Sequence, residues 1–263
     1  MKRSAVAFDR VRPAPPGVVV LLYHRVSSVS NAQMYLPRGM FAKQIAKLAH
    51  ANRVVSLSRA LEMLSGSAPP PTPTPVVLTF DDGTEDFTKT VVPILQEFDV
   101  PATLYAATSY IEERRAFPDG AKPTSWAALA DACSTGLVDV GSHTHSHRLL
   151  DRCPPQDVAD ELDRSIGCIQ ERLGRAALDF AYPKAVPGSS HAEAAVKSRF
   201  RSAALAGTRA NPYGRTDPYR LARSPIQRSD GMRWYAHKVA GHMRLEDDLR
   251  HMLNRVRYSR AKT

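Results

Sequence analysis

Short runs of apolar residues alternate along the chain with stretches in which apolar residues recur every three or four positions. The first pattern is typical of buried strands and the second of amphipathic helices. One such helical face holds Phe41, Ile45 and Leu48. Alternation of strands and helices favours an α/β fold with a parallel sheet. The predicted strands cover residues 18–23, 53–56, 76–80, 102–107, 138–140, 179–182, 201–205 and 221–226.

Proline and glycine mark the ends and interruptions of these elements. Pro93 falls inside a helical pattern over 86–98 and predicts a kink or a late start. Gly174 follows a strong helical pattern over 158–173 and is expected to end that helix. The prolines of segment 66–75 can continue neither a helix nor a strand, so we expect a surface connection there.

The length of the chain suits one enzyme-sized domain. Its 263 residues match the roughly 250 residues of a single α/β barrel. The part before the proline-rich segment is too short to bury a core of its own. We therefore predict a single domain over residues 1–263, with a core of about 18–226. A basic helical extension is expected over 230–263, including a terminal helix near 249–256.

Two adjacent carboxylates stand where one predicted strand ends. The apolar run that begins at Val76 leads directly into Asp81, Asp82 and Gly83. Burying an unpaired carboxylate is costly unless a metal or a proton compensates its charge. Successive strand residues point in opposite directions, so the two acids need not serve the same role.

A second predicted strand, near residue 138, runs into three histidines at alternate positions, His143, His145 and His147. Imidazole and carboxylate together are the ligands that a borderline divalent ion such as zinc selects. One aspartate and two of these histidines would provide three protein ligands and leave a position open. That pattern is typical of a catalytic zinc site.

These two segments resemble a known family. The Thr-Phe-Asp-Asp-Gly motif at 79–83 and the histidine pair four residues apart are similar to the first two motifs of the polysaccharide deacetylase family, the NodB-homology or carbohydrate esterase 4 group. The resemblance implies a distorted, incomplete (β/α) barrel of about seven parallel strands. It also implies that Asp81 is the general base and that Asp82, His143 and His147 hold one divalent metal ion. Zinc is the expected ion, and the ligand set would also accept cobalt, nickel or manganese. His145 is then expected to hydrogen-bond locally or to face solvent.

The third motif departs from the usual family pattern. In the Phe-Ala-Tyr-Pro-Lys segment at 180–184, Ala181 stands where many members carry an arginine that orients the base. This form resembles the branch that deacetylates poly-N-acetylglucosamine and other exopolysaccharides. The backbone N–H of Lys184 is expected to contact the oxyanion, a role that needs no particular side chain. Tyr182 is expected to contact substrate, with Tyr213 and Tyr219 as further candidates for an aromatic platform.

The general acid is expected at the start of the chain. The family's late Leu-x-x-His motif is not recognisable, and His237 and His242 lie in a helical pattern. The apolar strand 18–23 instead ends at His24. Because the first and last strands of a barrel are neighbours, a histidine placed first in the chain can reach the same mouth. The poly-N-acetylglucosamine branch resembles this arrangement.

The predicted reaction is metal-dependent hydrolysis of the acetamide of an N-acetylhexosamine, with release of acetate. The substrate would be a glycan or a lipid-linked or nucleotide-linked saccharide precursor. Two alternatives stay open: a carbohydrate-binding pseudoenzyme, favoured by Ala181 and Lys184, and a metal hydrolase of a non-sugar amide.

Charge and cysteine content bear on partners and location. The net charge is +10, with many basic residues after position 243, but no nucleic-acid motif is visible. Peripheral contact with an anionic membrane surface is an alternative to a solvated helix face. The 3 cysteines suggest no disulfide framework. The apolar run 18–23 is too short for a signal or a membrane span, so we expect a cytoplasmic protein, with peripheral contact at the inner membrane as a variant of this location.

Overall fold

A computed structural model describes residues 15–66 and 71–243. In chain order its strands are β1 (Gly17–Tyr23), β2 (Arg25–Val26), β3 (Tyr35–Leu36), β4 (Val76–Asp82), β5 (Ala102–Ala106), β6 (Val138–Ser142), β7 (Asp179–Ala181), β8 (Ser202–Ala206), β9 (Asn211–Pro212) and β10 (Leu221–Pro225). Its α-helices are α1 (Arg38–His50), α2 (Leu57–Ser65), α3 (Val92–Phe98), α4 (Thr108–Glu112), α5 (Trp126–Ser134), α6 (Pro155–Leu173), α7 (Ser190–Lys197) and α8 (Gly231–Val239).

Seven of these strands are parallel and close on themselves. Their order is β10-β8-β7-β6-β5-β4-β1, and β1 pairs with β10 to complete the ring. The short strand β9 pairs antiparallel with the start of β1, and β2 pairs with β3 beside the barrel. The predicted seven-stranded parallel barrel is confirmed. The barrel is incomplete only in having seven strands instead of eight, because the pairing of β1 with β10 closes the ring.

Two apolar layers hold the barrel together, because alternate residues of each strand face opposite sides. Every residue of β1 and of β4 is buried, as expected for parallel strands covered on both faces. The inner layer contains side chains from six strands and is joined by α2, which contributes Leu57, Ala60 and Leu64. The outer layer packs the other strand faces against the surrounding helices.

The predicted elements were mostly found, with local differences. The helical pattern over 86–98 begins with a π-helical turn, Phe87–Val91, and α3 follows with Pro93 in its first turn, so the helix starts late. Gly174 has φ 64° and ends α6 as predicted. The predicted strand 53–56 was wrong: Val54 makes only an isolated bridge to Val76, because Ser56 already caps α2 by accepting a hydrogen bond from the Arg59 N–H.

Some sequence expectations concern residues outside the described ranges. These are the predicted helix near 249–256, the basic residues after 243 and part of the proline-rich segment. Within 231–239 the expected C-terminal helix forms as α8. Among the described helices, none has the length and apolar character needed to cross a membrane.

Gly141 lies on β6 at a position where the neighbouring strands leave no room for a side chain. A Cβ there would lie 2.5 Å from the Asp179 carbonyl oxygen of β7 and 2.9 Å from the ring of Tyr105 on β5. The backbone oxygen cannot withdraw without opening the sheet. The close approach of β6 to β7 therefore requires glycine at this position.

Replacing Gly141 with alanine should therefore destabilise the protein by about 1–3 kcal/mol, the usual cost of overpacking. Gly167 is the matched control, since it is exposed in the middle of α6 and a Cβ would meet nothing within 4 Å. Gly167→Ala should raise stability by about 0.5–1 kcal/mol. Urea unfolding of both variants measures the difference, and equal stabilities would contradict this account.

Candidate active site

Side chains from several strand ends converge on one cavity of about 790 Å³. Asp81 and Asp82 end β4, His24 follows β1, and His143 and His147 follow β6. All five line the cavity. Because parallel strands place their carboxyl ends at the same mouth of a barrel, residues far apart in sequence meet there.

Asp82, His143 and His147 form a cluster that could hold a metal ion. Asp82 Oδ1 lies 3.5 Å from His147 Nε2 and 3.8 Å from His143 Nε2. The three ligand atoms lie within 4.8 Å of one another. Two ligands of a tetrahedral zinc ion, each about 2.0–2.1 Å from the metal, are about 3.4 Å apart. The three side chains therefore fit one divalent ion if their ligand atoms move slightly closer together.

The second ring nitrogen of His143 supports the same assignment. Nδ1 lies 2.7 Å from the Ala181 carbonyl oxygen, which can only accept, so Nδ1 carries the proton and Nε2 is free to bind. Metal-binding histidines usually donate their other N–H in this way. Ala181 of the third motif thus orients His143 through its backbone carbonyl, and this contact does not depend on its side chain.

His147 is held in the form that binds a metal. Burial, together with the neighbouring His143, lowers the pKa of His147 to about 4, although the two aspartates raise it in part. A neutral imidazole is the ligand form, because a metal needs the nitrogen lone pair.

Backbone conformation at the site is unusual for residues with side chains. Asp82 has φ 79°, Thr144 has φ 64°, His147 has φ 62° and Lys184 has φ 53°. Left-handed conformations cost non-glycine residues on the order of 1–3 kcal/mol each and persist only where surrounding contacts enforce them. These residues lie at the ends of three strands, β4, β6 and β7, at the side of the barrel where the cavity opens.

Glu161 enforces the conformation of the histidine loop. Its carboxylate, buried on α6, accepts hydrogen bonds from the Ser146 N–H at 2.8 Å and from the Ser146 hydroxyl at 2.5 Å. The His145 N–H donates to the Glu161 carbonyl at 3.1 Å. The His145 ring turns away from the cluster, with Nδ1 2.9 Å from the Thr108 hydroxyl.

Asp81 is paired with an arginine that the sequence did not reveal. Arg223 on β10 is fully buried and holds both oxygens of Asp81, at 2.6 and 2.9 Å. Burial alone would raise the pKa of Asp81, but Arg223 and His143 hold it below the ordinary value. Arg223 also lies over the ring of Tyr105, 5.1 Å from its centroid. The only available signal was a lone arginine inside an otherwise buried predicted strand.

A second buried arginine contacts Asp82. Arg25 Nη1 donates to Asp82 Oδ2 at 2.7 Å, on the side away from the histidines. Burial would raise the pKa of Asp82, but Arg25 and the neighbouring His24 hold it well below the usual range. Asp82 is therefore ionised and available as a charged ligand.

His24 lies at the cavity, as expected for a residue at the end of β1. It is half-buried in the cavity wall directly after β1, which pairs with β10. Burial lowers the pKa of His24, and the charges of Asp81 and Asp82 offset this only in part. The structure thus brings His24 to the same cavity as the two acids.

The Tyr182 side chain does not line the cavity, and its contact with substrate stays a prediction. Its side chain is buried, and its ring packs edge-on against Phe180 at 4.9 Å. The alternation of β7 explains this, since Ala181 belongs to the inner layer whereas Phe180 and Tyr182 belong to the outer one. Tyr213 and Tyr219 are also absent from the cavity lining, whereas Lys184 is part of it.

A parallel barrel with carboxylates and histidines at its strand ends has the architecture of a barrel enzyme. The sequence profile described as polysaccharide deacetylase matches residues 68–202, and the chain belongs to this family.

Relatives of known activity and known structure are similar to this chain over different lengths. The poly-β-1,6-N-acetyl-D-glucosamine N-deacetylase of Escherichia coli K12 is 29% identical over 143 residues, which are 50% of this chain and 21% of the relative. IcaB from Ammonifex degensii has a TM-score of 0.74 at 24% identity and covers 86% of this chain and 98% of its own. The deacetylase PplD of Streptococcus pyogenes, solved with acetate, has a TM-score of 0.73 at 21% identity and covers 83% and 96%. The two structures agree with this chain in fold.

The cluster geometry leads to a prediction about metal content. The double variant His143→Ala, His147→Ala should lose the ion, because two of three ligands are removed. His145→Ala is the matched control and should keep about one ion per chain, since its ring bonds to Thr108 instead. Elemental analysis of the purified proteins measures the content. Equal metal in the double variant and the wild type would show that the ion binds elsewhere.

Proposed function

We propose that this protein hydrolyses the N-acetyl group of an N-acetylhexosamine-containing saccharide and releases acetate. One observation carries the proposal: the cluster of Asp82, His143 and His147 lies in the same cavity as a second aspartate, Asp81, and a third histidine, His24. Hydrolysis of an amide needs a base, an acid and stabilisation of developing negative charge, and this set of residues provides candidates for each.

Asp81 is the proposed general base. It stays ionised because Arg223 lowers its pKa, so it can accept a proton from the attacking water at ordinary pH. Arg223 also fixes the orientation of both carboxylate oxygens, which is the function that an arginine at position 181 serves in other members. An ionised carboxylate with a fixed orientation favours an active enzyme over a pseudoenzyme that only binds carbohydrate.

Asp82, His143 and His147 are the proposed ligands of a divalent ion, and zinc suits the mixed nitrogen and oxygen donors. When bound, such an ion supplies Lewis-acid chemistry, polarising the acetamide carbonyl and making water more acidic. The Lys184 backbone N–H is the proposed additional donor to the oxyanion, a proposal supported by the presence of Lys184 in the cavity lining.

His24 is the proposed general acid. An amine is a poor leaving group, so the acetamide nitrogen must receive a proton as the carbon–nitrogen bond breaks. His24 lies in the cavity wall beside both aspartates, whose charges favour its protonated form. The acid and the base thus come from neighbouring strands β1 and β4.

The substrate class is argued from the family and from the cavity. The Escherichia coli relative acts, by its name, on a polymer of N-acetylglucosamine. The cavity is large enough for a sugar residue. An N-acetylhexosamine in an oligosaccharide, or in a lipid-linked or nucleotide-linked precursor, is the proposed substrate.

Acetate release from such saccharides tests the proposal directly. Wild-type protein should release acetate, and Asp81→Asn should lower the rate by about 10²–10⁴, because a carboxamide cannot accept the proton. Asp81→Asn should keep the metal, whereas Asp82→Asn should bind it more weakly through loss of a charged ligand. Near-normal turnover by metal-loaded Asp81→Asn would assign the base to another group.

The role of His24 predicts a particular pH dependence. Activity should be bell-shaped, and the alkaline limb should report loss of the His24 proton. Because the pKa of His24 is lowered, that limb should fall at lower pH than an ordinary imidazole would give. His24→Ala should remove the limb and slow amide hydrolysis.

An activated ester provides the control, because its leaving group departs without a proton. His24→Ala should therefore affect ester hydrolysis much less than amide hydrolysis. Equal losses on both substrates, with the metal retained, would mean that His24 is not the acid.

A further inference from the structure

The two carboxylate oxygens of Asp82 face different partners. Oδ1 points to the histidines, 3.5 Å from His147 Nε2 and 3.8 Å from His143 Nε2. Oδ2 accepts a hydrogen bond of 2.7 Å from Arg25 Nη1. The Arg25 side chain is only 2% exposed, so water cannot easily replace it. One oxygen is thus directed at the ligand cluster and the other is already bound.

Arg25 is held in place from its other sides. Its Nε and Nη2 donate to the two oxygens of Asp119 at 3.1 and 3.3 Å, and the Tyr35 hydroxyl donates to Asp119 at 2.9 Å. Its guanidinium carbon lies 5.1 Å from the centroid of the Phe117 ring. A guanidinium fixed by two carboxylates and an aromatic ring cannot turn away to release Oδ2 without breaking several contacts.

We infer that Arg25 restricts Asp82 to one ligand oxygen and thereby makes the site select ions of low coordination number. Zinc accepts four ligands, whereas manganese and calcium favour six or more, mainly oxygen. A carboxylate that binds through both oxygens would therefore suit manganese and calcium better than zinc. The inference rests on the proposed ligand set of Asp82, His143 and His147, and it adds a positioning residue that determines which ion is bound.

The ratio of two metal affinities is the appropriate measurement. Removing Arg25 removes a positive charge beside the site, which should strengthen the binding of every divalent ion. It also frees Oδ2, which should help manganese more than zinc. The ratio of the dissociation constants for Mn²⁺ and Zn²⁺ cancels the common effect of charge and reports the geometry.

The experiment uses the full chain, stripped of metal and titrated with Zn²⁺ or Mn²⁺ against a chelating dye. In Arg25→Met, the ratio of the Mn²⁺ to the Zn²⁺ dissociation constant should fall by on the order of 10-fold, within the range seen for residues that orient metal ligands. The visible absorption of the Co²⁺-loaded protein should also weaken, since additional ligands reduce its intensity. In Arg25→Lys the fall should be smaller, because one ammonium cannot hold Asp82 and Asp119 together.

Arg115→Met is the matched control. Arg115 also stacks on an aromatic ring, 4.0 Å from the centroid of Tyr110, and bonds to a carboxylate, Glu113, at 3.1 Å. It makes no contact with Asp82 in the described part of the chain, so its removal should leave the ratio unchanged.

An unchanged ratio in folded Arg25→Met overturns the inference, and if that variant does not fold, an unchanged ratio in Arg25→Lys overturns it instead. The double variant His143→Ala, His147→Ala is titrated in parallel. Wild-type affinity for Zn²⁺ in that variant would refute the ligand set itself, and with it the inference. The double variant therefore tests the ligand set, and the Arg25 variants test the role of Arg25 separately.

Discussion

The site depends on the burial of two adjacent carboxylates at the end of β4, which two buried arginines make tolerable. A buried carboxylate without a partner costs several kcal/mol, about as much as a small domain has to spare. Asp81 is held by Arg223 and Asp82 by Arg25, each at hydrogen-bonding distance. Without these pairs, the acids would be protonated or exposed, and neither state would serve a base or a metal ligand.

The two pairs also give the neighbouring acids different surroundings. Both oxygens of Asp81 are bound by one guanidinium, whereas Asp82 has one oxygen bound and one facing the histidines. The alternation of side chains along β4 creates this difference, since consecutive residues point to different sides of the strand. One strand end can therefore carry the proposed base and the proposed metal ligand side by side.

The packing of the barrel and the chemistry of the site are linked through Tyr105. Its ring lies in the inner layer against Gly141 and supports Arg223 on its face. The absence of a side chain at Gly141 leaves space for this ring, and the ring helps to position the guanidinium that holds Asp81. The helix α6 acts similarly from outside, because Glu161 fixes the loop that carries His143 and His147. The inner layer of the barrel and the surrounding helix α6 thus both help to position residues of the cavity.

The local pattern of the chain determined the barrel, most of its strands and helices, and the ligand cluster. Asp82, His143 and His147 lie in short motifs, and the rule that parallel strands end at one mouth is enough to bring them together. The partners of those residues depended on tertiary structure. Arg223 is 142 residues from Asp81 and Arg25 is 57 residues from Asp82, and no local pattern indicates which acid each arginine contacts. The orientation of β7 depended on tertiary structure as well: a three-residue strand does not show which of its faces is turned inward, and only its packing decided that Ala181 faces the barrel interior.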